Sequence, residues 1–204
     1  MKKGITKEQI VEQTLRLIKD KENIRDVNLR GIARELGCAH TNLYNHFGCF
    51  DDLLWCTHIA ILKKFLDGLS EKISQIDDYR LKLQCFFSCF VEFPLYNKGW
   101  FRLAWFEIIQ GERPEDDKIA TVETVNAFVD IIENIWHNLY GFTPNKEKIK
   151  YVLHNVHCYI HGEVSIYIAK RSLIQDEIDF KKYVTEEAIK LTRLLLNEGE
   201  GFYE

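Results

Sequence analysis

The sequence predicts an all-α protein in two parts: an N-terminal bundle of three helices with a tight turn between the second and third, then a longer C-terminal helical domain. Apolar residues recur at three- and four-residue spacing through most of the chain, the period of an amphipathic helix. Strand-like alternation is nowhere sustained, and only three prolines interrupt 204 residues. With 46% hydrophobic and 28% charged residues the chain reads as globular rather than disordered. Its length allows a substantial core in one or two domains.

Thr6 opens the first helix as a capping box with Gln9, and Ile10, Leu15, Leu17 and Ile18 supply its apolar face to about Lys21. Residues 28–47, NLRGIARELGCAHTNLYNHF, carry two helix signals around a turn. Asn28 is a good N-cap, and Leu29, Ile32, Ala33 and Leu36 share one face. Gly37 suits the left-handed conformation of a C-terminal cap. A second helix then begins within three residues, with Ala39, Leu43 and Phe47 inward and Thr41, Tyr44 and Asn45 outward, flanked by His40, Asn42 and His46. Ala33 is small where two steeply crossing helices approach, and the short connection is that of a helix-turn-helix.

Further on, a long amphipathic pattern runs from about Asp51 to Ile73, with Leu54, Ile61, Leu62, Phe65, Leu66 and Leu69 as its core set. Residues 78–93 form a phenylalanine-rich helix expected to stop before Pro94, and a shorter one covers Gly99 to Gln110. After a polar break, a helix from Glu115 to Tyr140 carries Val122, Val125, Phe128, Val129, Ile132, Ile135 and Trp136, and Gly141 with Pro144 ends it. Two more helices follow, at about 145–171 and 178–197.

Residues 28–53 resemble the DNA-binding segment of the TetR family of transcriptional regulators. The resemblance rests on Asn28, Ile32-Ala33, Gly37, Leu43-Tyr44-Asn45-His46-Phe47 and the acidic pair Asp51-Asp52 with Leu53. It implies an N-terminal helix-turn-helix domain over 1–50 and a C-terminal effector-binding and dimerisation domain over 51–204. It also implies a homodimer formed through the last two helices as a four-helix bundle. The family usually has a lysine just before the acidic pair, reaching a DNA phosphate, where this chain has Phe50.

Charge agrees with that division. The first 50 residues hold nine Lys and Arg against six Asp and Glu, +3, so with a total of −4 the remaining residues sum to −7. No Lys, Arg, Asp or Glu occurs from Leu36 to Phe50. The second helix of the motif would lie in the major groove. The resemblance and the neutral donors place Asn28, Tyr44, Asn45 and His46 on phosphates. His40, Thr41 and Asn42 are expected at base edges, Asn42 being suited to adenine. Lys2, Lys3 and Lys7 add sequence-independent attraction, or are a solvated basic tail.

Six cysteines show no CxxC pair and no secretory signal precedes them, so reduced thiols in the cytoplasm are expected. No run approaches a membrane span. Phe86, Phe90, Trp100, Trp105, Phe128, Tyr159 and His161 are the candidates for an apolar effector pocket, although aromatics also fill helical cores without a ligand. A carboxylate from Glu92 or Glu107 among them would favour a hydrophobic cation, whereas His154, His157 and His161 would suit a neutral or anionic planar compound.

The reading is a ligand-responsive regulator, a repressor by the family's habit, released from a palindromic operator by a small molecule. No cofactor is implied. An enzyme is disfavoured by the lack of a phosphate loop or nucleophile elbow. Two alternatives stand: a metal or redox sensor using the His154/Cys158/His161 face, and a helical dimer that has lost DNA binding.

Overall fold

The computed structural model describes residues 4–197, so Lys2 and Lys3 lie outside the described residues. Among the described residues there are eight α-helices, two short 3-10 segments and no strand. The order is α1 (Lys7–Ile18), a 3-10 turn (Ile24–Asp26), α2 (Leu29–Glu35), a 3-10 segment (His40–Asn45) and α3 (Phe50–Ser74). Then follow α4 (Tyr79–Tyr96), α5 (Lys98–Trp105), α6 (Glu115–Tyr140), α7 (Lys146–Ile168) and α8 (Glu177–Asn197). None is long and apolar enough to cross a membrane. No disulfide links any of the six cysteines. The chain divides into two compact units, one running up to Phe65 and taking in Tyr96–Glu123, the other holding Leu66–Leu95 and the chain from Thr124 onward.

In the first unit, α1 starts at the expected capping box: the Thr6 N–H donates to Gln9 Oε1 at 3.0 Å and the Gln9 N–H to Thr6 Oγ1 at 3.3 Å. Ile10, Leu15 and Ile18 are buried, each contributing about 1.5–3 kcal/mol by leaving water. The helix ends at Ile18 rather than near Lys21, because the carbonyls of its last turn find other partners. Lys21 N–H turns back to Ile18 O at 3.0 Å, and Gly99 N–H takes Lys19 O at 2.7 Å. The indole N–H of Trp100 donates to Leu15 O at 2.8 Å. The start of α5 therefore caps the end of α1, and a Cβ on Gly99 would stand 1.7 Å from Ile18 O. α5 also stops at Trp105, short of the expected Gln110.

Asn28 caps α2 by accepting the Gly31 N–H at 3.0 Å, and Leu29, Ile32 and Ala33 face the core. Gly37 ends the helix at φ +65°, with the Cys38 N–H reaching Ala33 O at 3.0 Å.

α6, whose residues up to Glu123 belong to the first unit and the rest to the second, begins and ends where expected, and Gly141 stops it at φ +74°. Phe128, Val129, Ile132, Ile135 and Trp136 are buried, but Val122 and Val125, expected in the core set, are exposed. Pro94 does not end α4 either; the helix runs on to Tyr96. Pro94 sits in the last turn, where the ladder bond it cannot donate is one of few left to lose, and its ring is buried. α7 and α8 pack along each other, burying Ile149, Val152, Val156, Ile160 and Val164 of the one and Phe180, Val184, Ala188 and Leu196 of the other. The Tyr167 and Phe180 rings stack at 4.1 Å near their joint.

Candidate nucleic-acid interface and ligand site

The segment expected as a recognition helix is a 3-10 helix of six residues, His40–Asn45. Asn42 N–H bonds to Ala39 O and His46 N–H to Leu43 O, both at 3.0 Å and both spanning three residues. Histidine, threonine, asparagine and tyrosine are indifferent helix formers, and Ala39 supplies no side-chain cap, so a short tightened helix costs little here. Ala39 itself is exposed, not inward as its spacing suggested, because it precedes the first turn.

Leu43 and Phe47 anchor the segment at 0% and 3% exposure. His40, Thr41, Asn42, Tyr44, Asn45 and His46 are all exposed around them. Two apolar pins thus fix a row of uncharged donors and acceptors facing outward. The Tyr44 ring is steadied by an edge contact with His40, centroids 6.3 Å apart. Lys7 places its ammonium 5.4 Å from the Phe47 ring centroid, bringing a positive charge beside the row. Asn28 is exposed while its side-chain oxygen is engaged as the α2 cap.

Sequence inspection missed the groups that hold this unit together behind the row. Arg25 donates to Asp51 Oδ1 at 2.9 Å, to Glu107 Oε1 at 2.8 Å and to Ile108 O at 2.9 Å. Its guanidinium also lies 6.0 Å from the Phe50 ring centroid. Burial pushes the Asp51 carboxyl up, but Arg25 and the Gln110 N–H outweigh it and hold the group below its ordinary range. Phe50, where the family has lysine, is thus half-buried against an arginine already committed to two carboxylates.

A second cluster joins α3 to the start of α6. His58 Nδ1 lies 2.5 Å from Asp117 Oδ1, and Arg113 Nε donates to Asp117 Oδ2 at 2.6 Å. Asp117 is fully buried. Burial raises its pKa, yet the bonds from His58 and Arg113 prevail and keep it low, so the carboxylate is charged. Partners 59 residues apart leave no local signal to read.

In the second unit the structure gathers part of the expected ligand set. Phe86 and Phe90 on α4 meet Phe128 of α6, with centroids 6.0 and 5.0 Å apart respectively. Phe90 meets the His157 ring of α7 at 5.1 Å, and His157 lies 3.9 Å from His161. Burial, then neighbouring His154, pulls the His157 pKa down to about 4, and burial followed by His157 pulls His161 down to about 3. Both imidazoles are therefore neutral at pH 7.

Tyr159 stands apart from this chain of rings. Burial raises its pKa, as do Glu163, Tyr183 and Glu187 around it. Trp100 and Trp105 belong to the first unit, where Trp100 binds Leu15 O and Trp105 packs on Phe101 at 5.5 Å. The carboxylates considered for a cation are engaged, Glu107 with Arg25 and Glu92 with Lys72 at 3.4 Å.

The His154/Cys158/His161 face does not assemble within one chain. His154 and Cys158 are exposed, their Nε2 and Sγ 3.9 Å apart, whereas His161 turns to His157. Among the described residues no three His, Cys, Asp or Glu side chains converge as a metal site.

No family model matches the sequence, and no curated protein does. Solved structures do match. A Rhodococcus sp. RHA1 protein of unknown function is similar at TM-score 0.75 and 16% identity, over 96% of this chain and 98% of that one. The regulator FadR from Bacillus subtilis, in complex with stearoyl-CoA, is similar at TM-score 0.62 and 14% identity over 94% and 98%. A TetR variant from Acinetobacter baumannii AYE, in complex with minocycline, is similar at TM-score 0.60 and 21% identity over 95% and 99%. The fold is that of TetR-family transcriptional regulators.

Proposed function

We propose that this chain, with its TetR-type fold, is a ligand-responsive transcriptional regulator that binds a palindromic DNA operator as a homodimer. The observation that carries the proposal is the exposed, uncharged hydrogen-bonding row His40, Thr41, Asn42, Tyr44, Asn45 and His46, pinned from behind by Leu43 and Phe47. Side chains spent on packing would not be arranged so. In this reading residues 1–50 form the reading domain and 51–204 the effector and dimerisation domain. His40, Thr41 and Asn42 meet base edges, while Asn28, Tyr44, Asn45 and His46 hold phosphates. With no lysine at Phe50, charge attraction falls to residues such as Lys7, so affinity leans on neutral hydrogen bonds.

Dimerisation runs through α7 and α8, whose outer faces leave Tyr151, Ile166, Tyr183 and Leu194 46%, 45%, 46% and 60% exposed. Two subunits set their reading segments about 34–36 Å apart, one helical turn of DNA.

The effector site is centred on Phe86, Phe90, Phe128 and His161, with His157 added, and Trp100, Trp105 and Tyr159 remain proposed contributors. Neutral imidazoles beside phenylalanines suit an apolar molecule with one hydrogen-bonding, uncharged or anionic head better than a cation. Effector binding favours a subunit arrangement that no longer fits the groove, repression being lifted. A coupling of about 1–3 kcal/mol changes operator affinity about 5- to 150-fold. The protein acts in the cytoplasm, without a cofactor and not as an enzyme.

The test is fluorescence anisotropy on DNA from upstream of its own gene at two salt concentrations, beside Tyr44→Phe and Thr41→Ala. Tight, salt-sensitive binding weakened in both variants is expected. Binding equal to that of random DNA in every upstream fragment contradicts the proposal.

A further inference from the structure

His154 and Cys158 stand one turn apart on α7, both exposed, with the thiol sulfur 3.9 Å from the imidazole Nε2. In a tetrahedral zinc site, with Zn–S about 2.3 Å and Zn–N about 2.05 Å, the S···N edge is about 3.6 Å. The two donors already stand within a few tenths of an ångström of chelating distance. One chain supplies only this half, because His157 and His161 are taken up with each other and with Phe90.

In the α7–α8 homodimer proposed above, a second copy would complete this half-site. The outward stripe of α7 runs Tyr151, Asn155, Cys158, Gly162, Ile166, all exposed, with Cys158 at its middle. In an isologous contact the residue at the middle of a symmetric stripe meets its own copy on the two-fold axis, while the ends meet each other. At Gly162 an added Cβ would find open space, and its absence lets two helices approach at the short end of the about 8–10 Å range. Two thiols and two imidazoles then surround the axis, a closed nitrogen–sulfur set of the kind zinc takes in structural sites.

We propose that two subunits bind one zinc ion on their two-fold axis through His154 and Cys158 of each. This rests on the α7–α8 homodimer proposed above. Binding displaces one proton from each thiol, so one Zn²⁺ enters as two H⁺ leave and the affinity falls as pH is lowered. The ion clamps the dimer; it is not an effector.

The test measures zinc per chain by elemental analysis, after dialysis against zinc with a weak competing chelator. Molar mass is measured by sedimentation equilibrium on the same samples. One zinc per two chains is expected in a dimer, none in Cys158→Ala and Cys158→Ser, and a weakened site in His154→Ala. Cobalt in place of zinc should give thiolate charge-transfer absorption that is absent from both Cys158 variants. Circular dichroism checks that these variants, altered at an exposed position, remain folded. A metal-free dimer overturns the zinc site and leaves the dimer standing, the pair being an exposed thiol–imidazole hydrogen bond only. A monomer overturns the α7–α8 interface and the site with it. Zinc retained by folded Cys158→Ala places the metal elsewhere and overturns the assignment.

Discussion

Gly99→Ala should be among the most damaging single-methyl additions in the first unit. The new Cβ would stand 1.7 Å from Ile18 O, 2.8 Å from Ile18 C and 3.2 Å from Lys19 O, all backbone atoms that no rotamer change can move. Relief requires α5 to withdraw by over an ångström, which breaks the Gly99 N–H to Lys19 O bond of 2.7 Å and strains the Trp100 bond to Leu15 O of 2.8 Å. Two hydrogen bonds at about 1 kcal/mol each, with overpacking of about 1–3 kcal/mol, give a loss of about 3–5 kcal/mol. For a chain of this size, about 2–4 °C per kcal/mol, the melting temperature should fall by about 10 °C. Gly68→Ala is the control, on the exposed side of α3 with nothing within 4 Å of an added Cβ, and should gain up to about 1 kcal/mol from helix propensity. Thermal unfolding followed by circular dichroism distinguishes them. If Gly99→Ala melts with the wild type, the docking of α5 onto the end of α1 is wrong.

Other outcomes follow from the buried polar groups. Asp117→Ala removes a fully buried carboxylate from His58 and Arg113 and should cost about 3 kcal/mol, at the low end for a broken buried pair because Arg113 can turn to water. Since its pKa is lowered in the fold, the Asp117 contribution is present above its unfolded pKa, about 4, and is lost as pH falls through the folded value. Acid titration of the variant should lack that step. His157 and His161 carry the opposite linkage: depressed to about 4 and about 3, they stay neutral in the fold while unfolded histidines protonate below about 6.5. Their contribution is complete above that pH and is lost on acidification, on the order of 1 kcal/mol each at pH 5.5. Urea midpoints at pH 7.5 and 5.5 should therefore differ, and less so in a His157→Leu/His161→Leu double variant. Arg25→Met removes the donor shared by Asp51, Glu107 and Ile108 O, for a loss of about 2 kcal/mol, with faster amide hydrogen exchange in the first turn of α3.

Local chemistry is what the sequence made legible. The capping box at Thr6, the caps at Asn28 and Gly37, and the stop at Gly141 each act through neighbours a few residues away, and each stands where its residue type placed it. That two helices, α7 and α8, close the chain was legible from apolar spacing, whereas their packing along each other was not. What could not be read depends on partners far along the chain. Arg25 and Glu107 are 82 residues apart, His58 and Asp117 59, and nothing near Gly99 signals that it must fit beneath a distant carbonyl. Val122 and Val125 carry helical spacing yet stay exposed, because periodicity does not say how wide the buried face is. The reading segment shows an intermediate case: its inward Leu43 and Phe47 and its outward polar row were legible, but its 3-10 geometry was not, since propensity separates 3-10 from α only weakly.

The central claim is that two copies of the exposed row from His40 to His46 read DNA one helical turn apart. Selection of bound duplexes from a random-sequence library, in moderate salt, tests it most directly. The expected result is an enriched inverted repeat with half-sites about one helical turn apart, lost in a Thr41→Ala/Asn42→Ala variant that still folds. No enrichment over the starting library, with the protein folded and dimeric, would contradict the claim.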